Sequence, residues 1–239
     1  MSQKSMEPFG LALKEFHKGN KQAKVIFHRD DGLSEDLYIF PYFRIEKDFS
    51  LIEKQAIALC HGRILDIGAG VGPHSLELQK KGLEVYAIGI SIDACEIMKK
   101  RGVINVKCST VYDLKEITFD IILLMGRSIG FVEDLPGLKK FLNYCKDLLN
   151  PGGFILLDSL DVRLTTNQIH LAYQSENLKS GRYFGEIRLQ IEYKGQLGEK
   201  FQILHIDPHT LTNTSKELGW SCEILHKENN GDFLAKIFR

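Results

Sequence analysis

One stretch constrains this chain more than any other: Arg63-Ile64-Leu65-Asp66-Ile67-Gly68-Ala69-Gly70-Val71-Gly72-Pro73-His74-Ser75-Leu76-Glu77-Leu78. A short apolar run ends in an aspartate, three glycines follow at alternate positions, and a helical segment begins at once. Such a chain runs as a buried strand into a helix through a turn almost free of side chains. Glycine permits positive φ there and lets the backbone come close to a ligand. The helix start turns unpaired N–H groups toward a polar or anionic group. Together these describe a nucleotide-like cofactor site at the carboxyl end of a parallel strand.

The spacing narrows the cofactor. A dinucleotide fingerprint needs a third glycine three residues after the second, and that position holds Pro73, with the extra glycine at Gly72. No Gly-Lys-Ser/Thr closes the turn, which excludes the phosphate loop of NTPases. Downstream, strands are predicted at Ile64–Ile67, Val85–Ile88, Val106–Cys108, Phe119–Met125 and Phe154–Leu157, alternating with helical segments. Phe119–Met125 is apolar on both faces, as a central strand of a covered parallel sheet must be. Leu138, Phe141, Leu142, Cys145, Leu148 and Leu149 follow at helical spacing, and Asn150-Pro151-Gly152-Gly153 stops that helix. The alternation predicts an α/β fold with a doubly wound, mostly parallel sheet.

The tail differs. A short helix over Leu211–Leu218 closes at Gly219, and strands Trp220–Leu225 and Phe233–Phe238 flank an Asn-Gly turn, a hairpin signal. Outside the core, residues 1–60 read as a helical N-terminal cap with a loop at His28-Arg29-Asp30-Asp31-Gly32. Residues 161–207 carry two partly alternating runs, Gly185–Tyr193 and Lys200–Ile206, which read as an inserted β-hairpin. No repeat or low-complexity linker divides the 239 residues. The expectation is one domain: cap 1–60, cofactor core 61–160, insertion 161–207, and C-terminal helix and hairpin 208–239.

Composition removes several classes of function. The 31 basic and 31 acidic residues balance, without the basic excess of a nucleic-acid footprint. Lys99-Lys100-Arg101 reads as the cationic last turn of a helix ending at Gly102. No run approaches the roughly 18 apolar residues of a membrane span, and Met1–Gly10 has no signal-peptide core. Five dispersed cysteines fit reduced thiols rather than a disulfide framework or zinc site. The cytoplasm is the default expectation.

With Asp66–Gly72 as its first motif, Glu84–Ser91 as its second, and Phe119–Met125 and Leu148–Leu157 as later ones, the chain resembles the class I S-adenosylmethionine-dependent methyltransferases. It is similar in particular to a small-molecule-type group, also in Asp31-Gly32, Tyr42-Phe43-Arg44 and Gly219-Trp220. The resemblance implies a seven-stranded Rossmann-like sheet closed by an antiparallel C-terminal strand. It implies S-adenosylmethionine as cofactor and a site made of Asp66, Gly68, Ala69, Gly70, Gly72, Gly89, Ile90, Ser91, Thr110, Val111 and Met125. In such enzymes, insertions before the first core strand and after the fifth cover the active site.

Two departures stand out. Fold and family place an acid at the end of the second core strand to hold the ribose hydroxyls, and here that position is Gly89. A hydrogen bond to a charged group contributes about 1.5–3 kcal/mol, so its loss weakens binding roughly tenfold to a hundredfold. Asp93 either substitutes through water or merely favours a helix start. Where the family often has an aspartate beside the adenine, this chain has Ser109-Thr110-Val111. Thr110 can accept from an amine, and Asp113 either assists or caps a turn.

Methyl transfer from a sulfonium needs nucleophile and methyl held in line at about 3–3.5 Å, with a base only where the nucleophile must lose a proton. No fixed catalytic residue is expected. The chain lacks the Asn/Asp-Pro-Pro-Tyr/Phe run of DNA amine methylation and has Met125-Gly126-Arg127-Ser128 instead. Substrate-side candidates are Arg127 for an anionic acceptor, His205 as a base oriented by Asp207, and Arg44 as a carboxylate clamp. Each has a structural alternative: an ion pair, a surface or core pair, and packing of Tyr42 and Phe43. His74 reads as a helix-start residue, and Pro208 argues against a metal-binding helix at His205 and His209. The expected function is methyl transfer to a small molecule. The rivals are a weak cofactor-binding module, favoured by Gly89, and a nicotinamide oxidoreductase, disfavoured by Pro73 and the hairpin tail. Oligomeric state and the methylated atom are not encoded legibly.

Overall fold

A computed structural model describes residues 1–239. In chain order it holds α1 (Gln3–His17), β1 (Lys24–Arg29), β2 (Ser34–Tyr38), α2 (Leu51–Leu59), β3 (Arg63–Ile67), α3 (Pro73–Lys80), β4 (Glu84–Gly89), α4 (Ile92–Arg101), β5 (Asn105–Cys108) and β6 (Phe119–Leu124). There follow α5 (Leu135–Leu148), β7 (Leu149–Leu160), α6 (Gln168–Lys179), β8 (Glu186–Tyr193), β9 (Gln196–Leu197), β10 (Phe201–Leu204), α7 (Pro208–Glu217), β11 (Ser221–Lys227) and β12 (Asp232–Phe238). A seven-stranded sheet has the order β11-β12-β7-β6-β3-β4-β5, and a smaller one the order β10-β8-β1-β2 with β9 on β8. The doubly wound class, the mostly parallel sheet and its antiparallel C-terminal strand are as expected. The chain clusters into two compact units, Met1–Glu116 with Arg188–Phe201 and Ile117–Ile187 with Gln202–Arg239.

In the first unit, β3, β4 and β5 run parallel, with Ile67 opposite Ile88 and Gly89 opposite Cys108. Their helices start and stop on local chemistry. Ser91 caps α4 by accepting from Ala94 N, and Gly102 ends it in the left-handed conformation. The N-terminal segment contains α1 and α2 as expected; of the loop expected at 28–32, Asp30–Gly32 form a turn, while His28 and Arg29 end β1, which with β2 makes an antiparallel hairpin. Its turn places Gly32 at φ 92°, with Arg29 N bonded to Leu33 O. β8 then adds to β1 antiparallel, Ile26 opposite Glu192. The cap and the insertion thus share a sheet, a pairing across some 160 residues that no local periodicity can reveal. One face of α1 (Phe9, Leu13, Phe16) packs with Val25, Ile191 and Tyr193, and the same cluster contains Val71, Ala94 and Ile97.

In the second unit, β6 is parallel to β7, and β12 runs antiparallel to β7 with Asp232 opposite Leu160 and Phe238 opposite Phe154. Phe119 and Ile121–Leu124 are fully buried, as a strand covered on both faces requires. α5 begins with Asp134 accepting from Gly137 N and with Pro136 in its first turn. It ends at Leu148, one residue short of expectation, because Leu149 already pairs with Phe119. Asn150–Gly153 form an irregularity in β7 rather than a separate turn, and the pairing with β12 extends that strand to Leu160. α6 lies in a segment expected to hold only a hairpin; Asn167 caps it. α7 starts three residues earlier than expected, since Asp207 accepts from His209 N and Thr210 N and Pro208 takes the first helical position.

Candidate functional site

The turn after β3 is the best-defined feature of the first unit. Gly68, Gly70 and Gly72 have φ of 71°, 59° and 80°, values that L side chains adopt only with strain. Gly68 N and Ala69 N both bond Ile88 O at 3.0 and 3.1 Å, and Gly72 N bonds Ala69 O. Two of the glycines answer different needs. A Cβ on Gly72 would stand 2.7 Å from Val103 Cγ2, so the connection after α4 comes too close there for any side chain. A Cβ on Gly70 would meet nothing within 4 Å, which leaves open space over the turn next to the first N–H groups of α3.

Asp66 does not face that space. It is 1 % exposed and accepts from Ser75 Oγ at 2.5 Å. Burial raises its pKa, against the nearby His74 and the Ser75 bond. It therefore ties the strand end to the first turn of α3 from behind. Arg101 holds the turn from another side, donating from Nη1 to Val71 O at 2.6 Å with its guanidinium over the Phe43 ring.

At the end of β4, Gly89 has open space where a Cβ would stand, so its lack of a side chain is not forced by crowding. Ile90 and Ser91 follow; Ser109 N donates to Gly89 O. Asp93, the possible substitute acid, is engaged by Lys14 of α1, and Gly10 packs against it so closely that a Cβ would be 2.9 Å from Asp93 Cβ. It serves first as an anchor for α1. Asp113 caps its own turn: Thr110 N and Oγ1 donate to its Oδ2 at 2.9 and 2.7 Å, bonds that lower its pKa. The Thr110 hydroxyl proton is thus committed, leaving the oxygen free only to accept. Val111 is buried beside it.

The substrate-side candidates fare differently. Arg44 does not stand free as a clamp. Its Nε donates to Glu53 Oε1 at 2.9 Å, Nη2 donates to the same oxygen, and Nη1 donates to Pro41 O, so the carboxylate it grips is Glu53's. Buried Glu53 meets His74, whose Nε2 lies 2.7 Å from Oε1, a partnership that the sequence reading does not contain. A signal for Glu53 alone was present: Ser50-Leu51-Ile52-Glu53 is a capping box, and the structure shows both of its bonds.

In the second unit, Met125 is buried at the end of β6, followed by Gly126 and Arg127 at φ 71° and 59°. A non-glycine residue in that region carries strain. The Asp158 carboxylate accepts from Arg127 N at 2.8 Å, and Asp232 Oδ1 accepts from Nε and Nη2. The ion-pair alternative for Arg127 is thus realised, with the side chain still 40 % exposed. His205 is half-buried, and its Nδ1 is enclosed without a hydrogen-bond partner. Burial, with the Arg127 charge, pushes its pKa down to about 4. Asp207 does not orient it. That fully buried carboxylate accepts from Tyr183 OH at 2.6 Å, from Arg163 Nη2 and from the first N–H groups of α7, so the base-and-orienter pair is not formed.

Comparison with known proteins fits this architecture. A methyltransferase-domain family model matches residues 64–153. A S-adenosylmethionine-dependent methyltransferase from Bacteroides fragilis, solved in complex with S-adenosyl-L-homocysteine, is 32 % identical over 98 % of this chain and 94 % of its own, with a TM-score of 0.85. The CcbJ methyltransferase of Streptomyces caelestis, 10 % identical over 78 % of this chain and 88 % of its own, shares the fold at 0.59, as does DesVI of Streptomyces venezuelae, 16 % identical over 81 % and 92 %, at 0.54. No curated protein matches. The chain belongs to the class I S-adenosylmethionine-dependent methyltransferases.

Proposed function

We propose that the chain moves the methyl group of S-adenosylmethionine to a small-molecule acceptor. The cofactor lies over Gly68–Gly72, with its adenosine along Gly89, Ile90, Ser91, Thr110 and Val111. One observation carries the reading: three alternate positive-φ glycines end a parallel strand, and the space above Gly70 is open. The Bacteroides fragilis relative, solved with S-adenosyl-L-homocysteine, supports the same cofactor here.

Catalysis is by proximity. The sulfonium already activates the methyl carbon, so the protein aligns acceptor and methyl at about 3–3.5 Å. The acceptor nucleophile bonds to the methyl as the carbon–sulfur bond breaks, and S-adenosylhomocysteine leaves. Arg127, partly exposed and held by Asp232, suits an anionic group on the acceptor, and neutral His205 can accept a proton from it. The balanced charge of the chain favours a small molecule over a nucleic acid. The test is production of S-adenosylhomocysteine from S-adenosylmethionine across a panel of small acceptors with hydroxyl, amine and thiol nucleophiles. Turnover with a carboxylated acceptor that falls in Arg127→Ala supports the reading. Turnover only with nucleic acid or protein acceptors overturns it.

A further inference from the structure

Glu53 joins three neighbouring stretches of chain, at Arg44, at its own helix start and at His74. It stands in the first turn of α2, 6 % exposed. Its Oε2 accepts from Ser50 N at 2.9 Å, which closes the capping box. Its Oε1 takes both Arg44 contacts and lies 2.7 Å from His74 Nε2. His74 is the second residue of α3, 4 % exposed, directly after the glycine turn. The Phe49 ring packs against the imidazole, 5.1 Å between centroids, and the Arg44 guanidinium lies over the same ring. A buried ion pair of this kind rarely stabilises more than an apolar replacement of equal volume. What it does provide is direction, because both carboxylate oxygens are fixed and the imidazole has one place to sit.

We propose that Glu53 is a positioning residue of the cofactor site, acting through His74 on the first turn of α3 and thereby on the backbone of Gly70–Gly72. Arg44 orients Glu53 in turn. The proposal rests on the reading that the cofactor lies over Gly68–Gly72. The turn backbone follows the helix start, since Leu76 N bonds Gly72 O, and the other side-chain ties at the turn are Ser75 to Asp66 and Arg101 to Val71 O. A site held to within about 0.5 Å depends on such supporting contacts. Without the His74 link, the start of α3 keeps only its ties on the Asp66 and Arg101 sides, and the N–H groups over the turn are aimed less tightly.

The test is calorimetric titration of S-adenosylhomocysteine into the full chain, run well below each variant's thermal midpoint. Wild type, Glu53→Gln, His74→Gln, Arg44→Lys and Gly70→Leu are compared, each with its midpoint recorded. Glu53→Gln and His74→Gln are expected to weaken binding about tenfold. Arg44→Lys keeps the charge but loses the fork, and should fall between them and wild type. If Glu53→Gln does not fold, His74→Gln carries the test, since it leaves the Arg44–Glu53 pair in place. A lowered midpoint with affinity within twofold of wild type, in both Glu53→Gln and His74→Gln, overturns the proposal, because a merely structural pair behaves that way. Loss of binding in Gly70→Leu alone refutes the relay and keeps the cofactor placement. Unchanged binding in Gly70→Leu refutes the placement and the relay with it.

Discussion

The ends of β3 and β6 are built on opposite plans. After β3, the polar side chains behind the turn are paired: Asp66 with Ser75, Glu53 with His74 and Arg44, and Arg101 with a turn carbonyl. After β6, Arg127 sits in a strained conformation, and His205 keeps an enclosed nitrogen without a partner. A fully satisfied polar network rigidifies its surroundings, whereas an unsatisfied buried group is costly. A rigid turn suits the adenosine part of a cofactor, which methyl transfer leaves unaltered. Under the proposed function, the part-exposed Arg127 side chain and the unpartnered His205 Nδ1 are the groups offered to an acceptor.

The sharpest way to break the contrast is at Gly70. A leucine there fills the space over the turn and also pays the left-handed backbone penalty, about 1–2 kcal/mol. Affinity for S-adenosylhomocysteine should fall by a factor of at least about 100, read by calorimetry on protein shown to be folded by its near-ultraviolet spectrum.

Acidification probes the paired side next. Burial alone would raise the Glu53 pKa, but the bonds from His74, Arg44 and Ser50 N bring it from 4.5 to about 2. The folded state therefore holds this carboxylate ionised when the unfolded chain does not. Its contribution, about 3 kcal/mol, is complete above pH 4.5 and is lost as pH falls toward 2. Urea midpoints across that range should show a shallower decline in Glu53→Gln than in wild type; parallel curves would remove Glu53 from the account of acid stability.

Gly89 sharpens the comparison in the other direction, since the paired region lacks its ribose acid. A side chain there meets no atom within 4 Å, so Gly89→Asp should bind S-adenosylhomocysteine up to tenfold to a hundredfold more tightly, the measure of a charged hydrogen bond of about 1.5–3 kcal/mol. Weaker binding in both Gly89→Asp and Asp93→Ala would instead give the role to Asp93, despite its contact with Lys14. No change in either would move the ribose away from the end of β4.

The smallest effect belongs to His205. Its pKa is lowered from 6.5 to about 4, so the folded state binds fewer protons than the unfolded one in that window. Stability should fall as pH drops from 6.5 to about 4, by about 1 kcal/mol once partial solvent screening of the ring is allowed for. His205→Gln should lack that slope in denaturant titrations. An identical slope would assign it to other groups.

How much of this was legible depended on range. The glycine turn, β6 and the C-terminal hairpin are local patterns, and each was readable: alternate glycines, an unbroken apolar run, an Asn-Gly turn. The β1–β2 hairpin was locally encoded too, by Lys24-Val25-Ile26-Phe27 and Asp31-Gly32, yet its sheet forms only with β8. Side-chain partnerships were least visible. Nothing in the spacing of Arg44, Glu53 and His74 says that they meet, nor that Asp207 turns to Tyr183 and Arg163 rather than to His205. Such choices follow from which elements pack together, and a one-dimensional pattern does not contain that.

Hydrogen exchange of the wild-type chain, with and without saturating S-adenosylhomocysteine, tests the central claim most directly. A cofactor over the turn predicts slower exchange at Gly68–Gly72 and along Gly89–Ser91 and Thr110–Val111, with further protection in α1 or the β1–β8 pairing that packs on Val71. Protection confined to other segments, with the turn exchanging as it does without ligand, would contradict the placement of the cofactor and the function built on it.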